Sequence, residues 1–212
     1  MLTLTGTTLS ANGVGGPNAT PVIQELKIAT AIQHKQLEQR VNLLERLNST
    51  VTYRDLLAEF YGFYEPLEAK IAAFNLPFDF IQERAKSSWL ERDLQQLRLT
   101  REQISDLPKC HSLPVLNSVA QALGCMYVLE GSTLGGQIIA REIKQKLQLD
   151  ETNGALFFNG YGEETGSMWK SFGAAVNNWV AQNGQRSMVI ASAKESFEKF
   201  GQWLAQTGAE NS

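Results

Sequence analysis

A single histidine stands in an apolar helical pattern near the start of the chain. His34 follows Leu26 and Thr30 and precedes Leu37 at spacings of three and four residues, which predicts one buried helix face. Glu38 lies one turn later, within side-chain reach of the imidazole. A neutral imidazole on such a face can bind the iron of a haem through one nitrogen while a carboxylate accepts from the other. The residues equally allow a core histidine that is satisfied by Glu38.

The second candidate is a glycine-rich stretch, Gly124-Cys-Met-Tyr-Val-Leu-Glu-Gly-Ser-Thr-Leu-Gly-Gly-Gln-Ile-Ile, inside a long helical pattern. Each glycine in a helix interior costs about 1 kcal/mol relative to alanine, so something must offset that cost. Gly131 and Gly135 share a face, on which a flat ligand or another backbone can approach closely. Such glycines also permit a kink. Tight packing between helices remains an alternative, whereas the pattern does not match a phosphate loop.

Two lysines are candidates for holding an anionic ligand. Lys27 lies seven residues before His34, which is two turns along the same side of the predicted helix, and Lys170 lies in the sequence Met-Trp-Lys-Ser-Phe. Either can pair with an anionic group such as a propionate. The alternative for each is an ordinary solvated surface lysine.

Other catalytic patterns find little support. The chain has two histidines and contains neither HExxH nor ExxH, so a zinc-protease site and a carboxylate-bridged di-iron site are not predicted. No Gly-x-Ser-x-Gly elbow is present. His111 is predicted in a loop between two prolines. Cys110 and Cys125 do not make a disulfide framework, which favours a cytoplasmic location.

The composition is that of an ordinary globular chain. Of the 212 residues, 43% are hydrophobic, which suffices for one sizeable core, and the formal net charge of -3 argues against a bulk nucleic-acid binder. No apolar run approaches the roughly 18 residues of a membrane span. Residues 1–21 are rich in Gly, Thr and Asn and lack a signal-peptide pattern, so we expect a flexible lead-in.

Almost everything after Pro21 is predicted as helix. The predicted helices cover about residues 22–47, 50–74, 80–97, a short turn from Thr100, 115–149, 165–182 and 186–206. Pro66 should kink the second helix, and the glycines should interrupt the long one. Residues 150–166 are predicted as a loop. With no alternating strand pattern and no linker, the prediction is one all-α domain over 22–206 and a short tail over 207–212.

Two of these segments together resemble the haem oxygenase family. Leu26-Lys-Ile-Ala-Thr-Ala-Ile-Gln-His-Lys-Gln-Leu-Glu38 is similar to that family's proximal helix. Tyr127-Val-Leu-Glu-Gly-Ser-Thr-Leu-Gly-Gly-Gln137 is similar to its distal helix, in the form found in bacterial members associated with bacteriophytochromes. Weaker similarity covers Phe60-Tyr-Gly-Phe-Tyr-Glu-Pro-Leu-Glu and the last two helices, so the resemblance extends over residues 22–206.

The resemblance implies a helical bundle that holds haem between the proximal helix and a kinked distal helix. His34 would be the iron ligand, with Glu38 accepting from its other ring nitrogen. Gly131 and Gly135 would press the distal backbone onto the haem. The remaining positions implied are Lys27 and Lys170 at the propionates and Phe197 in the pocket wall. Tyr127 falls one place from a family tyrosine and is not carried over.

Two positions depart from the family pattern. Ser132 stands where mammalian-type members have an aspartate that organises water beside the bound oxygen, so a different network must deliver protons here. Bacterial relatives also lack that aspartate. Ala174 replaces a basic residue one turn after Lys170, which leaves open the haem rotation and therefore which meso carbon is attacked.

The implied function is oxidative opening of haem, as both substrate and cofactor, to biliverdin, CO and ferrous iron, using O2 and external electrons. The chain shows no flavin or nicotinamide fingerprint, which implies a redox partner such as a ferredoxin or a reductase. A bacteriophytochrome is a possible recipient of biliverdin. The main alternative is a haem-binding carrier or sensor without turnover. A helical scaffold that lost haem and a non-haem metal oxidase on the same fold are weaker alternatives.

Overall fold

The computed structural model describes residues 20–41, 43–79 and 83–210, and within these ranges the secondary structure is helical with no strand. Residues 1–19 of the predicted lead-in lie outside the described residues. The α-helices are α1 (Val22–Ala29), α2 (Ala31–Val41), α3 (Leu43–Arg46), α4 (Thr50–Ile71), α5 (Ser87–Gln96), α6 (Arg101–Ser105), α7 (Val119–Leu147), α8 (Leu156–Asn159), α9 (Thr165–Asn183) and α10 (Arg186–Glu210). The predicted all-α class is confirmed.

The first predicted helix is divided at Thr30, so a single helix over residues 22–47 was wrong. The backbone N–H and the hydroxyl of Thr30 both donate to the Leu26 carbonyl, at 3.0 and 2.7 Å. A threonine that bonds back to the preceding turn in this way bends a helix. The chain resumes helical geometry at once, because the His34 N–H donates to the Thr30 carbonyl at 2.9 Å.

Helix α4 supplies much of the core. It begins at a capping box in which Ser49 and Thr52 satisfy each other's backbone N–H groups. The helix continues without a break through Pro66. Its buried apolar side chains are Tyr53, Leu56, Leu57, Phe60, Phe63, Tyr64, Leu67 and Ile71.

Helix α5 begins at Ser87, after a break at residues 85 and 86 within the helix predicted over residues 80–97. Residues 80–82 of that prediction lie outside the described residues. The buried Glu68 carboxylate accepts the backbone N–H groups of Lys86 and Ser87 at 2.7 and 2.9 Å. This carboxylate therefore does the work of an N-cap from a distant helix. A partner 18 residues away leaves no mark on the local sequence pattern.

Helix α7 runs unbroken from Val119 to Leu147, so the predicted interruption at the glycines was wrong. It starts four residues later than predicted because Ser118 caps it, accepting the Gln121 N–H at 3.3 Å. The two longest helices, α7 and α10, pack closely along each other. This packing stabilises a helix that intrinsic propensity alone would weaken.

The predicted loop over residues 150–166 contains further helix. The Asp93 carboxylate accepts the N–H groups of Leu156 and Phe157 at 2.9 and 2.8 Å and so fixes the start of α8. A 3-10 turn, Gly162–Glu164, leads into α9. At the other end of the chain, α10 extends to Glu210, past the predicted end at Gln206. No helix in the described residues is long and apolar enough to cross a membrane.

Candidate active site

The glycines of α7 fall into two groups according to what a Cβ atom would meet. At Gly124 an added Cβ would lie 2.4 Å from the Val189 carbonyl oxygen, and at Gly136 it would lie 2.6 Å from that of Phe158. These two glycines are required by tight packing within the protein. The packing alternative is therefore correct for them.

Gly131 and Gly135 have no such neighbour. A Cβ at Gly135 would meet nothing within 4 Å, and one at Gly131 would meet only the Trp169 ring at 3.9 Å. The same side of α7 carries Leu134 and Ile138, whose exposed fractions are 44% and 67%. We call this surface, made by residues 131, 134, 135 and 138, the glycine face. It is apolar, free of side-chain bulk at its centre, and uncovered by the described part of the chain.

His34 was predicted on a buried face, and that detail was wrong. Its side chain is 57% exposed, and that of Glu38 is 68% exposed. The apolar stripe of α2 is carried by Leu37 and Val41, which pack partly against the core, and the imidazole lies at the margin of that stripe. Its Nδ1 faces the Glu38 carboxylate at 3.6 Å, which is too long for a hydrogen bond. The orientation leaves Nε2 without a partner on Glu38.

Helix α10 lies between His34 and the glycine helix. Phe197 meets the His34 ring edge-on, with centroids 5.7 Å apart. One turn later, Phe200 lies 5.9 Å from the Tyr64 ring, and the Tyr64 hydroxyl bonds to Ser132 on α7. The predicted wall residue Phe197 is thus next to the predicted ligand. The aromatic side chains of α10 link α2 to the edge of the glycine face. We refer to the region between His34 and the glycine face as the cleft.

The two predicted lysines lie on neighbouring helices. The Ile23 N–H donates to the Asn177 side chain at 3.3 Å, and Gly173 faces Ile23, so α1 packs on α9. Lys27 follows Ile23 by one turn of α1. Lys170 precedes Gly173 by about one turn of α9. Both lysine side chains are exposed.

Tyr127 on α7 lies next to Thr30, a contact that the sequence analysis missed. The Tyr127 ring lies 5.7 Å from that of Trp169. Burial raises the pKa of Tyr127, and the hydrogen bond to Thr30 opposes that shift. The helices that carry His34 and the glycine face are therefore connected directly through this pair.

A buried ion cluster lies beneath the start of the glycine face. Glu130 accepts from Arg84 at 2.9 Å, from Lys86 at 2.5 Å and from the Tyr161 hydroxyl at 2.8 Å. Arg84, Lys86 and Glu130 are each at most 3% exposed. Burial lowers the pKa of Lys86, and the charge and hydrogen bond of Glu130 oppose that shift.

The sequence offered uneven signals for these additional residues. Glu130 lies directly before Gly131 in the glycine-rich motif. A carboxylate beside a helix face that a ligand or a backbone can approach closely could have been recognised as a candidate. Arg84 and Lys86 lie in a segment predicted as plain helix, where two cations give no sign of burial. Tyr64 lay in a stretch of apolar residues that indicated core alone.

The fold and the glycine face together define an all-helical bundle with a cleft between two of its helices. Comparison with known proteins identifies the family to which this helical bundle belongs. The family model described as heme oxygenase matches residues 20–206. The chain therefore belongs to the heme oxygenase family.

Individual relatives agree with the family match. The chain is 28% identical over 189 residues to Heme oxygenase PigA of Pseudomonas aeruginosa, covering 88% of this chain and 92% of that protein. Its fold is similar to that of the heme oxygenase of Neisseria meningitidis, with a TM-score of 0.73 at 20% identity, covering 90% and 94% of the two chains. The heme oxygenase of Leptospira interrogans gives a TM-score of 0.70 at 20% identity, covering 88% and 100%. The chain is a haem-degrading heme oxygenase, and haem is its substrate.

Proposed function

We propose that haem lies between His34 on α2 and the glycine face of α7. The observation that carries this proposal is the space beside Gly131 and Gly135, where an added Cβ would meet only the Trp169 ring at 3.9 Å or nothing among the described residues. A flat ligand pressed against the backbone explains why two residues that weaken a helix are present. The exposed, apolar Leu134 and Ile138 would then be covered by the same ligand.

The chain's donor set fits a haem with one protein ligand. His34 Nε2 would bind the iron, while Glu38, 3.6 Å from Nδ1, is placed to tighten into an acceptor. Phe197 would hold the imidazole ring at an angle through its edge contact. A single histidine leaves the opposite side of the iron accessible.

Lys27 and Lys170 would bind the two propionates of the haem. Both are exposed cations on packed neighbouring helices. A carboxylate paired with a lysine gains a charge-assisted hydrogen bond that a neutral side chain cannot give. Ala174 supplies no third cation, so the propionate contacts of this chain rest on these two lysines.

When bound, the haem supplies oxygen activation and is itself oxidised, and we infer that the products are biliverdin, CO and ferrous iron. The chain itself would position the haem and keep bulky side chains out of the space over its ring. Gly131 and Gly135 offer no bulky base and no side chain to occupy the space over the ring. The backbone at these positions would limit the space that O2 can occupy over the ring. The Ser132 hydroxyl is the side-chain donor immediately beside this face.

Electrons must come from a partner, because residues 22–206, which we propose as one domain, show no flavin or nicotinamide fingerprint. We propose a ferredoxin or a reductase as the donor and the cytoplasm as the location. We propose a bacteriophytochrome as the recipient of biliverdin, and this proposal rests on the form of the distal motif alone.

A spectroscopic assay of the purified chain tests the proposal. We expect a sharp Soret band when hemin is added. On addition of ascorbate in air, that band should decay into the broad red absorption of biliverdin. A Soret band that persists would leave a haem binder without turnover. The absence of any band would contradict haem binding by this cleft.

A further inference from the structure

A pair of hydroxyl groups lies beside the glycine face. The Tyr64 hydroxyl donates to the Ser132 Oγ at 3.2 Å, and the Ser132 hydroxyl donates to the Leu129 carbonyl at 2.8 Å. Ser132 follows Gly131 directly and is half-buried, whereas Tyr64 is 1% exposed. The pair therefore runs from the protein core to the margin of the cleft.

The aromatic surroundings of Tyr64 leave Ser132 as the acceptor for its hydroxyl group. Its ring is enclosed by the rings of Phe60, Phe157 and Phe200, none of which accepts a conventional hydrogen bond. Burial raises the pKa of Tyr64 far above its ordinary value, despite the opposing hydrogen bond to Ser132. Tyr64 is therefore a permanent donor and a poor source of a proton.

A donor fixed on one side of Ser132 determines what its own hydroxyl can do. A hydroxyl has one hydrogen and two acceptor sites, and Tyr64 occupies one of the acceptor sites. The Ser132 hydrogen must then point away from Tyr64. Rotation about the Cβ–Oγ bond turns it from the Leu129 carbonyl toward the cleft without any movement of the backbone.

We propose that Tyr64 is a positioning residue that holds the Ser132 hydroxyl as a hydrogen-bond donor to the oxygen substrate over the glycine face. The inference rests on the proposed function and assigns to this pair the place left by the missing aspartate. Ser132 touches the reacting oxygen, and Tyr64 acts through Ser132. A fixed donor at this point stabilises charge that develops on oxygen.

The test uses hemin-loaded protein and four variants. Tyr64→Phe removes only the core hydroxyl, Ser132→Ala removes the donor, and the double variant removes both. Tyr53→Phe is the matched control, because Tyr53 is also fully buried but donates to the Gly154 carbonyl at 3.0 Å. The readouts are the Soret titration, the CO stretching band of the reduced, CO-bound protein, and the rate of biliverdin formation.

We expect all four variants to bind hemin. Tyr64→Phe and Ser132→Ala should each move the CO band to higher frequency and slow biliverdin formation about tenfold, the loss typical of one hydrogen bond to reacting atoms. The double variant should show no further change, because both residues act as one unit. Tyr53→Phe should stay at the wild-type values.

Two results would overturn the inference. A CO band and a rate at the wild-type values in Tyr64→Phe would remove its positioning role, and effects that add in the double variant would separate the two residues. Ser132→Ala keeps the question decidable if Tyr64→Phe folds poorly, because an unchanged CO band there also excludes the donor. A wild-type protein without a Soret band would instead overturn the proposed function, and this inference with it.

Discussion

At the scale of single residues, the same amino acid serves two purposes on one helix. Gly124 and Gly136 admit the backbone of another part of the protein, whereas Gly131 and Gly135 face open space. The sequence pattern cannot distinguish these cases, since all four are glycines inside a helix. The difference appears only when the neighbours of each missing side chain are known.

Alanine substitutions at two adjacent glycines test that distinction. Gly135→Ala should raise the free energy of unfolding of the haem-free protein by about 0.5–1 kcal/mol, because alanine favours helix and its Cβ meets no neighbour. The same change should weaken hemin binding, since the methyl group occupies the proposed ligand face. Urea unfolding and hemin titration measure the two effects.

Gly136→Ala is the matched control for that variant. Its Cβ would lie 2.6 Å from the Phe158 carbonyl oxygen, so we expect a loss of about 1–3 kcal/mol of unfolding free energy. If Gly135→Ala were as destabilising as Gly136→Ala, the glycine face would be a packing surface of the protein.

Asp93 should make the free energy of unfolding decrease as the pH rises. Burial raises the pKa of Asp93 to about 6, against the opposing hydrogen bonds from the Phe157 and Leu156 N–H groups. The folded state therefore keeps a proton that the unfolded state releases near pH 4. Compared with Asp93→Asn, the wild type should lose about 3 kcal/mol of stability between about pH 4 and pH 7, and the difference should be flat outside that window. Urea unfolding at stepped pH checks this, and a difference that rises with pH would contradict it.

At the scale of elements, helix starts depend on two kinds of cap. Ser49 and Thr100 cap their helices through residues three positions later, and the short helix that begins at Thr100 was predicted. Distant caps were not visible, because Glu68 and Asp93 accept N–H groups from residues that only the fold brings near. The starts of α5 and α8 were therefore missed, while the existence of the long helices was predicted from periodicity alone.

The buried ion cluster beneath the glycine face should anchor α7. Glu130→Gln leaves Arg84 and Lys86 buried without the carboxylate that they share, so we expect a loss of about 3–5 kcal/mol of unfolding free energy. Lys144→Gln, which breaks the exposed contact of Lys144 with Asp150, should cost less than about 1 kcal/mol. Equal losses in the two variants, measured by urea unfolding, would show that the cluster does not anchor the helix.

At the scale of the whole molecule, the fold class followed from helical periodicity, and the family resemblance followed from two short motifs in the right order. The burial of His34 was predicted wrongly, because the spacing of Leu26, Thr30 and Leu37 indicated a covered face while the imidazole lies at its margin. Periodicity reports which side of a helix meets the core, and it says nothing about a cleft that a ligand fills. The contact between Tyr127 and Thr30 was missed for a related reason, since it joins helices that are distant in sequence.

The central claim is that His34 holds the haem beneath the glycine face, and the chain allows a direct test because it has two histidines. Hemin should be added to wild-type, His34→Ala and His111→Ala proteins, followed by ascorbate in air. We predict that His34→Ala loses most biliverdin formation, that added imidazole restores it in part, and that His111→Ala behaves as wild type. Biliverdin formation by His34→Ala at the wild-type rate without imidazole would contradict the claim.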